Sequence, residues 1–323
     1  MTGNLYWYRA MARRGALSED ELFKLGLEEC GARGEAELLE MVKSVFGEEA
    51  WVGRNVWLDQ QVECDVLLIT HHRIYNLNAK YYRVDFSYAQ GRAYFGGNEA
   101  KSNPLAAFQS SMDRLRALTK RVGLDLPVEG MLMFMNSDQL VSVDDTAAFG
   151  CVPRAHVMRT LQDLQKESTA GHGGRHGRGR VGAQWAASRL LTLESQSKYW
   201  APRVEDAHLA RLETGLLCPE CGGRHLLVTQ RSLECPCGRY RFSKAEAIWH
   251  AVEDYCKIFH DAPVVTVADI EWFLAGQVPR KTIRQILGAR YKMSSRGKYA
   301  AYINPYFRQP YGTVPIRAPR RGK

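Results

Sequence analysis

The chain has 323 residues, 45% hydrophobic and 24% charged, with a formal net charge of +9 and a pI near 9.1. That composition excludes a disordered or collagen-like chain and leaves room for two compact units. No run approaches the ~18 apolar residues that span a bilayer, and the start, MTGNLYWYRAMARR, has no apolar leader core, so a cytoplasmic protein with no membrane partner is expected. The positive charge points to a polyanionic partner, most often nucleic acid, or to a merely basic surface.

In chain order, residues 18–46 read as a helix interrupted at Gly31–Gly34. Ser18 and Glu21 form a capping box at its start. Leu38, Leu39, Val42, Val45 and Phe46 recur on one helical face. Strands are expected at Trp51–Leu58, Val62–Thr70 and Arg73–Ala79. The continuous run Val66–Ile69 suits a strand covered on both faces. Residues 81–103 read as irregular. Pro104 opens a helix to about Arg121, because proline is favoured in a first turn. Gly130–Met135 reads as another buried strand and His156–Lys166 as a helix. This order predicts an α/β domain with a mixed sheet.

Gly171–Arg180, with five glycines and no apolar residue, reads as a linker whose two histidines are solvated. Residues 183–214 are helical in pattern, interrupted at Pro202, and Ser243–Phe259 is a further helix. The expected divisions are an N-terminal helical extension (1–30), an α/β domain (31–168), the linker (169–182) and a helical connector (183–214). A metal ribbon (215–242), a helical unit (243–310) and a basic tail (311–323) complete the chain.

Eight cysteines are present. Cys30, Cys64, Cys151 and Cys256 are scattered and read as thiols. The other four fall in two close pairs, Cys218-Pro-Glu-Cys221 and Cys235-Pro-Cys237, thirteen residues apart. Zinc takes four tetrahedral ligands, and thiolates from two adjoining turns supply them. Gly222, Gly223 and Gly238 follow the pairs where such turns need unusual backbone angles. Leu226–Val228 would form a strand between them. The second pair is one residue shorter than the usual C-x-x-C, which leaves His225 as a reserve ligand. The alternatives are two disulfides or unliganded thiols. Four sulfur ligands leave no open position, so a zinc ion here would be structural.

The α/β domain carries Gly34-Glu35 on a helix, Asp65 within an apolar strand, and Asn78-Ala79-Lys80 at the end of the next strand. Asn103-Pro104 and Gln109 follow on a helix. In this order residues ~30–145 resemble the nuclease-related domain, NERD, a branch of the PD-(D/E)xK nuclease-like superfamily. The downstream half is similar to the same proteins, with a zinc ribbon, a helix containing Ala251-Val-Glu-Asp-Tyr255, and a helical C-terminal unit. The resemblance implies a restriction-endonuclease-like mixed sheet, a bacterial source, and hydrolysis of phosphodiester bonds in DNA with magnesium or manganese. It implies Glu35 and Asp65 as magnesium ligands, with Asn78, Lys80 and Gln109 completing the catalytic set. The family's acidic residue is replaced here by Asn78, which removes a negative charge from the metal site. A non-catalytic nucleic-acid-binding protein with the nuclease fold is therefore the alternative. Glu63 and Glu99 are the carboxylates that could substitute.

In the last unit, Thr266 caps a helix with Asp269 at its third position, and Ile270, Phe273 and Leu274 give it an apolar face. A turn through Gly276–Pro279 leads to a second helix, Arg280–Leu287. Its Ile283, Ile286 and Leu287 would face inward, and Arg280, Lys281 and Arg284 would face nucleic acid. With a strand at Tyr299–Ile303 the pattern resembles a helix-turn-helix with a small wing. A helical hairpin capping the ribbon is the other reading. Arg317, Arg320, Arg321 and Lys323 add charge that could touch phosphates.

Overall fold

The computed structural model describes residues 3–147, 149–170, 182–197, 201–224, 226–228, 232–238, 241–295, 297 and 300–307. The linker at Gly171–Arg180, His225, Tyr299 and the basic tail therefore lie outside the described residues. The chain divides into a first unit, Leu27–Lys198, and a second made of Thr2–Gly26 with Tyr199–Lys323.

The core of the first unit is a five-stranded sheet of order β1-β2-β3-β7-β9. Its strands are β1 (Trp51–Leu58), β2 (Val62–Ile69), β3 (Ile74–Lys80), β7 (Val128–Phe134) and β9 (Gly150–Pro153). β1, β2 and β3 form an antiparallel meander, whereas β3, β7 and β9 run parallel, so the sheet is mixed as expected. Val66, Leu67, Leu68 and Ile69 are fully buried because helices cover both faces. On one face Leu105, Phe108, Met112 and Leu115 of α3 (Pro104–Arg121) pack against Leu67, Ile69, Ile74 and Leu132, joined by α5 (Ala183–Leu190). On the other, α2 (Glu19–Phe46) and α4 (Arg154–Ala170) bring Leu38, Val42, Val157 and Leu161 onto Val66, Leu68, Tyr75 and Leu77. Each fully buried Leu or Phe contributes roughly 1.5–3 kcal/mol.

Two expectations are corrected. Helix α2 runs unbroken through Gly31 and Gly34. A helical glycine costs about 1 kcal/mol, but a Cβ on buried Gly34 would come 3.2 Å from Met135 Cβ and 3.4 Å from Tyr81 Cδ2. The glycine lets the helix press onto the strand ends. Residues 81–103 are not irregular either. They form β4 (Phe86–Ala89), β5 (Arg92–Phe95) and β6 (Asn98–Glu99), which with β8 (Val141–Val143) make a four-stranded sheet of order β6-β5-β4-β8. Gln90 and Gly91, with φ of 52° and 78°, make the tight turn between β4 and β5.

The connector, which runs from the first unit into the second, is less helical than its pattern suggests. It comprises α5, a 3-10 turn at Leu191–Leu193, and α6 (Asp206–Arg211). Strands β10 (Leu227–Val228), β11 (Ser232–Glu234) and β12 (Arg241–Ser243) form an antiparallel sheet, followed by α7 (Lys244–Ile258). Helix α1 (Gly3–Arg13), read from sequence as an extension, packs on α7 and shares a core of Trp7, Met11, Val252, Tyr255, Ile270 and Phe273. After α7 come β13 (Val264–Thr266), α8 (Val267–Phe273), α9 (Arg280–Arg290), β14 (Met293–Ser295) and β15 (Ala301–Ile303), with sheet order β13-β15-β14. The Thr266 and Asp269 capping box is formed.

A buried ion pair holds α1 to α7. Asp254, 2% exposed, accepts from Arg14 Nε at 3.1 Å and from Arg13 Nη1 at 2.6 Å. Arg14 also donates to the carbonyls of Gly215 and Glu213, at 2.8 and 3.2 Å, and lies over the Phe273 ring. Each charge in this network is hydrogen-bonded, the condition for tolerating burial.

Candidate active site and metal centre

The ladder between β2 and β3 runs from Ile69↔Ile74 to Val66↔Leu77 and stops there. Across β1 the register passes from Arg54↔Val66 to Val56↔Cys64, and the intervening Asn55 has φ of 50°. At this parting Asp65, 8% exposed, turns its carboxylate to the backbone and accepts from Ala79 N–H at 2.8 Å. Burial pushes its pKa up to about 6, with Glu35 adding to the rise and Lys80 opposing it. Glu63 is pushed up to about 7, first by burial and then by the negative charges of Asp65 and Glu35. Trp57 donates to it, across the ladder from which Glu63 faces it. Glu35, Glu63, Asp65 and Lys80 thus feel one another's charge.

Glu35 reaches this place from α2 because Gly34 lets the helix approach, and its Oε2 lies 3.4 Å from Arg54 Nη2. Arg54 also donates to the carbonyl of Ala32. No motif marked this arginine; its only signal is a charged residue in the middle of a strand. Asn78, half-buried, pairs with Leu132 in the β3–β7 ladder. Alternation sets it with Lys80 on the face of Ile74, opposite Tyr75 and Leu77. Gln109 donates from Nε2 to Asp113 Oδ1 at 2.9 Å on its own helix, and Asn103 caps α3 by accepting from Leu105 and Ala106. Glu99 is exposed on β6 and paired with Arg92. Of the two substitutes, Glu63 joins the acids and Glu99 does not.

The second unit holds a different donor set. The sulfurs of Cys218, Cys221, Cys235 and Cys237 lie within 4.8 Å of one another. Bonds of ~2.3 Å from a tetrahedral zinc set sulfurs roughly 3.8 Å apart, and Cys221 and Cys235 Sγ are 3.5 Å apart. These four cysteines fit a metal such as zinc. They are the one group of three or more His, Cys, Asp or Glu ligand atoms drawn that close among the described residues, so the carboxylates around Asp65 stand further apart. Gly222 and Gly238 have φ of 69° and 68°, and a Cβ on Gly222 would come 2.7 Å from the Arg13 carbonyl oxygen. Gly223 donates to Cys221 Sγ at 3.4 Å, and this hydrogen bond is the first cause lowering that thiol to about 7.

Arg280, Lys281 and Arg284 are exposed on α9, with Arg280 held to Glu271 at 3.4 Å. Ile283 and Leu287 face the core, as their spacing predicts, and Ile286 is partly buried against it. Among the described residues no helix is long and apolar enough to cross a membrane.

No curated protein and no solved structure matches the chain. Residues 31–135, the stretch that brings Glu35, Glu63, Asp65 and Lys80 together, match the family model of NERD, the nuclease-related domain.

Proposed function

We propose that the chain is a divalent-metal-dependent nuclease-type enzyme that hydrolyses phosphodiester bonds in DNA. The observation that carries this reading is the set of Glu35, Glu63 and buried Asp65 beside Lys80, at the point where β2 and β3 part, where burial and acidic neighbours push Glu63 and Asp65 up. Carboxylates pushed up by burial and by an acidic neighbour, as Glu63 and Asp65 are, gain most from a cation beside them. Glu35, Glu63 and Asp65 would hold magnesium or manganese, hard cations that take oxygen ligands. Such an ion supplies charge stabilisation at a phosphoryl oxygen and a more acidic water. Lys80 would face the charge that develops on the phosphate. Glu63 would restore the negative charge that Asn78 lacks.

The order α7–β13–α8–α9 followed by the β14–β15 pair supports a winged-helix reading of the last module, with α9 presenting Arg280, Lys281 and Arg284 to nucleic acid. Zinc on the four cysteines would be structural and would fix the turn against which Arg13 lies. The resemblance alone places its source among bacteria, and the cytoplasm is the location that composition and sequence pattern lead us to expect.

A second reading is nucleic-acid binding without turnover. Asn78 favours it, as does Arg54, whose guanidinium already pairs with Glu35. Purified protein incubated with plasmid DNA and magnesium or manganese separates the two. Cleavage that falls at least a hundredfold in Asp65→Asn and in Glu63→Gln is expected. Salt-dependent binding with no cleavage by wild type would leave only the second reading.

A further inference from the structure

At the ends of the central strands is a cavity of about 430 Å³, lined by Arg33, Glu37, Tyr81, Met135 and Arg154 among others. Its position follows from the topology. Tyr81 follows β3, Met135 follows β7, and Arg154 opens α4 directly after β9, so the cavity lies at the carboxyl ends of the three parallel strands. Crevices at such strand ends are where α/β sheets take ligands. Tyr81 and Met135 are also the side chains that Gly34 approaches, one residue before Glu35, and Tyr81 directly follows Lys80.

Its charge is positive. Arg33 is exposed at the rim. Arg154 donates from Nε to Glu37 Oε1 at 2.8 Å, and Nη2 reaches the same oxygen. Two guanidinium groups against one carboxylate leave a net positive charge. Helix α4 is 17 residues long and has no acidic residue in its first turn, so its own sequence does not offset the partial positive charge of its N-terminus. Half-buried Tyr81 offers an aromatic surface to the cavity, with Met135, 2% exposed, packed beneath the lining. The volume falls within the range of small-molecule sites.

We infer that this cavity seats one nucleotide of the nucleic-acid strand, its phosphate on Arg33 and Arg154 and its sugar or base against Tyr81. The identity of the strand rests on the nuclease reading above; the recognition of a nucleoside phosphate rests on the cavity itself. The seat would register the strand so that a neighbouring phosphodiester meets the acids.

The test uses the full chain without added magnesium. Melting is followed with about 10 mM of a 2′-deoxynucleoside 5′-monophosphate, of the matching nucleoside, or of inorganic phosphate, since a ligand that binds only the folded state raises the melting temperature. The monophosphate should raise it, inorganic phosphate less, and the nucleoside not at all. Arg33→Glu, which leaves the Arg154–Glu37 pair intact, should abolish the response. The same variant should weaken binding of a labelled DNA duplex about tenfold, with the salt dependence of log Kd falling by about one. Equal shifts from nucleoside and monophosphate, no shift from either, no advantage of monophosphate over inorganic phosphate, or a wild-type response in Arg33→Glu would overturn the inference. A monophosphate response lost in Arg33→Glu, alongside wild-type protein that cuts no DNA, would keep the seat and sink the hydrolytic reading.

Discussion

At the level of single residues, Glu63 makes the sharpest demand on experiment. Burial and its acidic neighbours raise its pKa from an ordinary 4.5 to about 7. A carboxyl raised in the folded state contributes stability that is complete below its unfolded pKa and is lost as pH rises through about 7. Glu63→Gln has no charge to lose. In magnesium-free buffer its unfolding free energy should match wild type near pH 4 and exceed it near pH 8, by on the order of 1–3 kcal/mol. Magnesium should reverse the preference, because it binds the deprotonated acids. Titration between about pH 6 and 7 should then release protons, detectable calorimetrically in buffers of different ionisation enthalpy, and Asp65→Asn should release fewer. In the second unit Asp254 offers a different test. Asp254→Ala would leave Arg14 buried and unpaired and should cost about 3–5 kcal/mol in chemical denaturation. Asp65 was legible in sequence as a carboxylate in an apolar run, and Glu35 through the glycine before it. Arg54 and the Arg14–Asp254 pair were not. Their partners lie on other elements, and nothing local distinguishes a charge destined for burial from one left in water.

At the level of elements, long apolar patterns were readable and short ones were not. The meander β1–β3 and helix α3 announce themselves through a buried run and a proline at a helix start. The hairpin of β4 and β5 has strands of four residues each, too short for a period to emerge. Its signal was the Gln90-Gly91 turn, which needs positive φ at both positions. Helix α2 misled in the other direction, since Gly34 is there for close packing and not for a break. The cysteine knuckle was readable because ligand spacing is local. Metal analysis should find about one zinc per chain, and Cys235→Ser should lose it along with stability of the second unit. Gly222→Ala should destabilise the same unit by about 1–3 kcal/mol, because it adds a strained φ to a clash with the Arg13 carbonyl.

At the level of the whole molecule, a net charge of +9 predicts that binding to DNA weakens steeply with salt, and that a Lys281→Glu, Arg284→Glu double variant flattens the slope by about two. The pairing of α1 with α7 has a consequence in time as well as in space. Arg14 and Asp254 are 240 residues apart. At a translation rate of ~5–20 residues per second, α1 waits roughly 12–48 s for its partner to be made. All of the first unit is synthesised during that wait and can close around its own sheet. Helix α1, with Trp7 and Met11 uncovered, is meanwhile a nascent segment exposed to chaperones and to aggregation. The first segment made is thus among the last to be folded, and a fragment stopped at Lys198 would carry α1 without the helix it was built to meet.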